Sequence, residues 1–200
     1  MNQIVDSVLC FWFGSEVLSP AKATARMPTW FEQDGDFDYD IERRFGKLVS
    51  LAASGRFDDW EKSPKSTLAL IILLDQFPRN LYRGTAKAFA TDAKALALTK
   101  YALEQNYADS FSPIELVFLL MPFQHAEDLD DQTAGMELYK LLAEHIEQGW
   151  RDVLESTYEF AQRHHAIIEQ FGRFPHRNSA LGRITTPEEI TYMEQGGESF

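Results

Sequence analysis

The sequence predicts an all-α protein built from stacked antiparallel helix pairs. Three observations lead to this prediction. Helix-capping signals recur along the chain, apolar residues follow helical spacing between them, and no segment alternates apolar and polar residues as a strand would. Because the predicted helices are joined by short connections, antiparallel packing of neighbours is the expected arrangement.

Local signals place the first helices. Asp36 is a candidate N-cap for a helix whose apolar face includes Ile41 and Leu51. The run 68–74 is apolar on every side, which predicts a helix buried all round. Pro78 is expected to help end that helix, because proline lacks a backbone donor.

The segment 14–35 is predicted to be a long loop. It contains two glycines and two prolines, which interrupt regular structure, together with the aromatic residues Trp30 and Phe31. Two exposed aromatic residues would form a sticky apolar patch, so the loop is expected to pack back on the body of the protein.

The second half of the chain carries the clearest start signals. Ser112, Pro113 and Glu115 form a capping box with proline at the first helical position, and Thr186 and Glu189 repeat this pattern. In all, about eight helices are predicted, near residues 2–13, 37–54, 66–77, 86–105, 113–127, 132–148, 152–171 and 187–195.

Composition restricts the classes of function. A chain of 200 residues, of which 44% are hydrophobic, predicts one globular domain over residues 1–200. The net charge of -12 repels phosphate backbones and anionic lipids, so neither nucleic acid nor a membrane is an expected partner. The single cysteine, Cys10, and the lack of a basic leader favour a cytoplasmic protein, expected to be a monomer or a homodimer.

A carboxylate emerges from the most apolar helix. Asp75 directly follows the apolar run, and a buried carboxylate needs an opposite charge or a proton. Arg79 lies one turn further along the same face and can supply that charge. The two residues are either part of a functional site or a structural ion pair that anchors the end of the helix.

His125 and Glu127 close the next apolar helix. Histidine titrates near neutrality, which suits His125 to proton transfer, and Glu127 could orient it. Residues two apart point to different sides of a regular helix, so either the helix has ended or only one of them faces inward. A histidine with a purely structural role is the alternative.

The segment 163–183 is a basic part of an acidic chain. It contains four arginines and one acid, for a local charge of +3 against -15 in the remaining residues. Arginine rather than lysine favours forked hydrogen bonds to a carboxylate or phosphate. Two glycines and a proline bend the segment, which places Arg173, His176, Arg177 and Asn178 between helices. These side chains either bind an anion or pair with surplus acids and lock the segment onto the body.

Neither a metal ion nor a cofactor is expected. The histidines and acids lack the Glu-x-x-His and His-Glu-x-x-His spacings of helical metal sites. His165 and Glu169 share a helix face, but the neighbouring arginines would repel a cation. Phosphate-binding glycine loops and the Gly-x-Ser-x-Gly elbow of serine hydrolases are missing from the sequence as well.

Four segments together resemble a known family, the bacterial domain-of-unknown-function family numbered 924. These segments are VLCFWFG (8–14), LIILLDQFPRNLYRG (70–84), MPFQHAED (121–128) and FGRFPHRNSALGRITTPEE (171–189). The resemblance spans nearly the whole chain. It implies a tetratricopeptide-like helical fold and supplies motif positions, but it implies no particular reaction.

The chain departs from the family pattern at three positions. Cys10 stands where an aspartate is expected, Ala126 where a serine is usual, and Gln170 where an arginine often occurs. The alanine weakens any proposal of a hydroxyl nucleophile in that segment. The match also favours His164 over His165 as the motif histidine.

The sequence therefore predicts a pocket that binds a small anionic metabolite, and both a binding protein and an enzyme fit these residues. His125, Glu127 and His176 are the candidates for catalysis. One alternative is a tetratricopeptide-like module that presents a groove to a protein or peptide, and another is a set of structural clusters with the function elsewhere. The candidate ligand-binding residues are Asp75, Arg79, His125, Glu127, His164, Arg173, His176, Arg177, Asn178 and Arg183.

Overall fold

The computed structural model describes residues 3–145 and 148–200. Over these residues the protein is all-α and contains no strand, as predicted. A π-helical turn (Ile72–Gln76) joins the fourth and fifth of ten α-helical segments, which therefore amount to nine continuous helices within the described ranges. The segments are α1 (Gln3–Phe13), α2 (Pro20–Phe31), α3 (Gly35–Ala53), α4 (Pro64–Ile71), α5 (Phe77–Leu81), α6 (Asp92–Glu104), α7 (Pro113–Gln124), α8 (Leu129–His145), α9 (Arg151–Phe171) and α10 (Pro187–Glu194).

The segment predicted to be a long loop contains helix α2, so that prediction was wrong. The Ser19 side chain caps this helix by accepting a hydrogen bond from the backbone N–H of Lys22 at 3.4 Å. Pro20 occupies the first helical position, where the missing N–H leaves no bond unmade. Trp30 is buried, as expected, whereas Phe31 remains 53% exposed.

Pro78 does not end the central helix, contrary to the sequence prediction. The chain continues from α4 through the π-helical turn into α5 and leaves the helix only after Leu81. The helix predicted over 86–105 starts later, at Asp92, because the 3-10 turn Ala86–Ala88 precedes it.

The other helix ends agree with the predictions to within a few residues. Asp34, rather than Asp36, caps α3 by accepting backbone hydrogen bonds from the next turn. Both predicted capping boxes are present at α7 and α10. Of the predicted helix ends, residue 2 and residues 146–147 lie outside the described residues.

The core is centred on the α4 run. Residues 68–74 are all 0% exposed, as their apolar character on every side predicts. Next to this run, the ring of Trp12 in α1 lies 5.6 Å from that of Phe77 and 5.4 Å from that of Phe118, both edge-on. In the described part of the chain, no helix has both the length and the apolar character needed to cross a bilayer.

Helices α7, α8 and α9 pack against one another in chain order and frame the region of the candidate site. Gly135 lets α8 approach α7 closely, because a Cβ atom there would lie only 2.5 Å from Cβ of Phe123. Gln132, also on α8, donates hydrogen bonds to the carbonyl oxygens of Gln124 and Ala126 at 2.7 and 2.8 Å. These contacts fix the segment that carries His125.

Candidate functional site

The innermost polar group is the carboxylate of Asp75, which is 0% exposed. Its Oδ1 lies 2.7 Å from Nδ1 of His125 and 3.3 Å from a guanidinium nitrogen of Arg79, and Gln76 donates to its Oδ2 at 2.5 Å. Burial raises the pKa of Asp75. The charge interactions with His125 and Arg79, together with the hydrogen bonds from His125 and Gln76, outweigh burial and hold the pKa below its usual range. The prediction that Asp75 is buried and paired with an arginine is confirmed.

The backbone of the π-helical turn brings Asp75 into the core. Such a turn inserts one extra residue into a helix and is frequent at functional sites. Three residues after Asp75, Pro78 has no N–H to donate to the carbonyl oxygen of Leu74, and the hydroxyl of Thr91 donates to that oxygen. This hydrogen bond ties the start of α6 to the turn.

Asp92, the first residue of α6, is a central group that the sequence analysis missed. Its two carboxylate oxygens each accept a hydrogen bond from Arg79 at 2.9 Å, and Oδ2 also lies 3.3 Å from a guanidinium nitrogen of Arg177. The sequence contained one indirect signal. Arg79 follows an apolar helix whose acid, Asp75, can accept only some of the five N–H donors of the guanidinium. The remaining donors need another acceptor from elsewhere in the chain.

Arg177 is 5% exposed and lies between two aromatic rings. Its guanidinium carbon is 4.5 Å from the ring centroid of Phe89 and 4.4 Å from that of Phe174. The side chain donates to the carbonyl oxygen of His125 at 3.1 Å, whereas its Nε is buried without a hydrogen-bond partner in residues 3–145 and 148–200. Burial lowers the pKa of Arg177 to about 10, and repulsion from the positive charge of Arg79 is the second largest cause.

Glu127 makes a forked ion pair with Arg183, at 2.5 and 2.9 Å. It also accepts the backbone N–H of Phe174 at 2.8 Å. Helix α7 ends just before His125, so both His125 and Glu127 reach the cluster, which resolves the alternatives left by their spacing. Because both oxygens of Glu127 are engaged, this residue orients the segment after α9.

Arg173 belongs to a second forked ion pair, with Glu189 of α10, at 2.6 and 2.8 Å. Glu189 is 2% exposed and was identified from the sequence only as a capping residue. Asn178, 0% exposed, links the two forks, since it donates to Glu189 at 3.0 Å and accepts from Arg183 at 2.9 Å.

His164 and His176 complete the cluster. The ring centroid of His164 lies 6.3 Å from that of His125, and its Nδ1 is 2.7 Å from the carbonyl oxygen of Phe160. Both ring nitrogens of His176 are buried, and neither has a hydrogen-bond partner in the part of the chain that the structure describes. Burial lowers the pKa of His164 to about 3 and that of His176 to about 4, so both are neutral near pH 7. His165 lies outside the cluster, against Thr133.

All ten predicted residues are thus joined in one network, with Asp92, Phe174 and Glu189 between them. The four carboxylates in this network match its four arginines, so the local charge of +3 counted along the segment 163–183 does not carry over to the site. The local charge computed from the segment 163–183 omitted the acids that the fold brings to it. Two surface cavities, of about 380 and 550 Å³, are lined by other residues.

The arrangement around His125 suits proton transfer. Burial and Arg79 lower its pKa, with Asp75 acting in the opposite sense, so the imidazole is neutral near pH 7. With Nδ1–H donating to Asp75, the other ring nitrogen, Nε2, carries a lone pair and can accept a proton. Among the described residues, no three or more His, Cys, Asp or Glu side chains are grouped so as to hold a metal ion.

Comparison with known proteins places the chain in a family. The sequence profile described as "Bacterial protein of unknown function (DUF924)" matches residues 8–197. The solved structure of a protein of unknown function, ATU0120 from Agrobacterium tumefaciens, superposes with a TM-score of 0.81 and 36% sequence identity, covering 97% of this chain and 98% of that one. No curated protein matches the chain. The chain therefore belongs to the DUF924 family of bacterial proteins of unknown function.

Proposed function

We propose that the protein binds a small anion, a carboxylate or a phosphate, beside Arg177 and His176, and that His125 exchanges a proton with it. The observation that supports this proposal is a group of three buried polar atoms that have no hydrogen-bond partner among the described residues. They are Nε of Arg177 and both ring nitrogens of His176. Native proteins leave few such atoms unpaired, because each one loses its hydrogen bonds to water without replacement.

Arg177 differs from the other arginines of the network in how little it is paired. Arg79, Arg173 and Arg183 each make a forked pair with one carboxylate, at distances between 2.5 and 2.9 Å. Among the described residues, the one carboxylate within hydrogen-bond distance of Arg177 is that of Asp92, at 3.3 Å, and Arg79 already engages it. An incoming carboxylate or phosphate offers Arg177 the acceptor that the fold does not provide.

The position of His125 supports a chemical role for the bound anion. Arg177 donates to the carbonyl oxygen of His125, so the fixed charge and the proton acceptor belong to one hydrogen-bonded unit. Asp75 holds the imidazole from its other side, which is the arrangement of a general base with an orienting carboxylate. The reaction class consistent with these groups is proton transfer to or from an anionic substrate.

The burial of the network favours this proposal over a peptide-binding surface. A groove for a peptide needs exposed polar residues along one face, whereas Asp75, His164, Arg177 and Asn178 are each at most 5% exposed. The tetratricopeptide-like interaction module therefore stays the second candidate, to be taken up if no anion binds.

The test is a thermal-shift titration with inorganic phosphate and, separately, with succinate. We expect millimolar concentrations to raise the melting temperature of the parent protein, because a ligand that binds only the folded state stabilises it by mass action. Arg177→Ala should abolish the shift, while Arg43→Ala, which removes a surface arginine on α3, should retain it. If neither anion stabilises the parent, or if Arg177→Ala responds like the parent, the proposal is wrong.

A further inference from the structure

The chain segment after α10, residues 195–200, lies over the outer end of the candidate site. The ring of Phe200 stacks on the imidazole of His164 with centroids 3.6 Å apart and planes inclined by 20°. His164 is 4% exposed, and Phe200 covers the outside of its ring. Phe200, His164, His125 and Asp75 form a succession of contacts from the surface to the buried carboxylate.

Contacts with α9 and α10 hold the segment in place, and they include a ring contact between Phe200 and Phe160 at 6.3 Å. Glu198 pairs with Arg163 of α9 at 2.5 Å, and its backbone N–H donates to the hydroxyl of Tyr192 at 2.9 Å. The guanidinium of Arg163 also lies 5.6 Å from the ring centroid of Phe200. The second carboxylate oxygen of Glu198, Oε2, is buried and has no hydrogen-bond partner among the residues that the structure describes, so this position of the segment leaves one polar atom unsatisfied.

The geometry at the start of the segment suits a hinge. Helix α10 ends at Glu194, and Gly196 has a φ of +82°, in the region that favours glycine. The chain then turns back so closely that a Cβ atom on Gly197 would lie 2.4 Å from the ring of Tyr192. Beneath the segment, against α9, lies the cavity of about 380 Å³, so this side of the segment is not packed solid.

We propose that residues 195–200 form a strap that closes the anion site, and that Phe200 must leave His164 before an anion can reach His125 and Arg177. The shielding of His164 follows from the stacking contact alone. The effect on anion binding rests on the proposed function. The strap is held by the ion pair and the backbone hydrogen bond of Glu198 and by the side-chain contacts of Phe200. These contacts lie outside the helices, so they can break without unfolding the helices beneath the strap.

The first test measures how fast diethyl pyrocarbonate modifies His164, with the sites read by tandem mass spectrometry. The exposed His145 serves as the internal reference in the same sample. Phe200→Ala should raise the rate at His164 about tenfold, and Glu198→Gln, which weakens the tether, should raise it by a smaller factor. Phe31→Ala, which removes a 53% exposed phenylalanine from another part of the surface, is the matched control and should leave the rate unchanged.

An unchanged rate at His164 in Phe200→Ala, with the circular dichroism spectrum of the parent retained, would overturn the strap.

A second test measures the phosphate affinity of the same variants by calorimetry. Tighter binding in Phe200→Ala than in Phe31→Ala supports closure of the anion site. If His164 becomes reactive but phosphate binds the parent and Phe200→Ala equally well, the segment covers His164 without closing the site, and the proposal of closure is wrong. If His164 becomes reactive and phosphate binds neither protein, the proposed function fails while the shielding by Phe200 stands.

Discussion

Nδ1 of His125 lies 2.7 Å from Oδ1 of Asp75, inside a π-helical turn at the centre of the protein. The contact joins two residues that are fifty positions apart in the chain. It fixes which edge of the imidazole faces the carboxylate, and the edge that carries Nε2 is left for a ligand. The stability of the core and the chemistry proposed for His125 therefore depend on the same carboxylate.

Replacing Asp75 by alanine should lower the free energy of unfolding by about 3 kcal/mol. Breaking a buried ion pair from one side costs about 3–5 kcal/mol. We expect the lower end of this range, because Arg79 retains its forked pair with Asp92. Urea denaturation measures the change, and Asp40→Ala, which breaks the exposed pair with Arg43, should cost less than about 1 kcal/mol. Equal stability of Asp75→Ala and the parent would contradict this assignment.

Asp92→Asn should strengthen anion binding while it weakens the fold. The substitution removes the carboxylate that competes with an incoming anion for Arg177, so we expect the phosphate dissociation constant to fall about tenfold. The free energy of unfolding should fall by roughly 3 kcal/mol, because two guanidinium groups lose their shared partner. Calorimetry and urea denaturation give the two values. Phosphate binding that is weaker than in the parent would mean that Asp92 assists the anion rather than competing with it.

Much of the helical framework could be predicted because its signals are local. The capping boxes at Ser112 and Thr186 involve residues three apart, and the all-round apolar run at 68–74 requires burial wherever it packs. Helix α2 escaped prediction because its prolines suggested a loop. The local cap at Ser19 is supported by a tertiary contact that the sequence could not reveal, since Trp30 donates to the carbonyl oxygen of Trp12 in α1 at 3.0 Å.

The predicted site residues come together, but the sequence could not reveal how they pair. Asp92 lies outside the motif segments, and Glu189 was recognised only as part of a capping box. The tertiary fold alone brings both residues to the arginines. The contact between Phe200 and His164 likewise joins two distant residues, and no pattern in the sequence connects them. Charge counted along a segment predicts the field in a site only when the fold adds no charges of its own.

The buried histidines should make the protein less stable in mild acid. The pKa of His164 is about 3 in the folded protein against 6.5 for an ordinary histidine, so the unfolded chain binds more protons between these values. Stability is therefore complete above about pH 6.5 and is lost as the pH falls towards 3. For His164 alone, the loss from pH 7.5 to pH 5 is about 2 kcal/mol.

The measurement is urea denaturation at these two pH values. His164→Gln should reduce the difference between them by about 2 kcal/mol, whatever its effect on stability at pH 7.5. His145→Gln changes an exposed histidine and should leave the difference as it is. A pH dependence that is the same in His164→Gln and in the parent would show that His164 does not resist protonation.

Two glycine substitutions should have opposite effects, because Gly135 lies where α8 approaches α7 and Gly46 lies on α3 with room for a side chain. Gly135→Ala should destabilise the protein by about 1–3 kcal/mol, because the new Cβ would lie 2.5 Å from Cβ of Phe123. Gly46→Ala should stabilise it by roughly 0.5–1 kcal/mol, because a helical position with its nearest side-chain atom at 3.8 Å gains helix propensity without a clash. Thermal and urea denaturation compare the two, and equal effects would contradict the predicted helix contact.

The most direct test of anion binding is a nuclear magnetic resonance titration of the protein labelled with ¹⁵N-histidine. The chain has five histidines, so each imidazole reports on one location. Addition of inorganic phosphate should shift the ring resonances of His125 and His176 with a common dissociation constant, while those of the exposed His145 stay in place, and Arg177→Ala should suppress the shifts. Ring resonances of His125 and His176 that do not move, or that move no more than those of His145, would contradict the account.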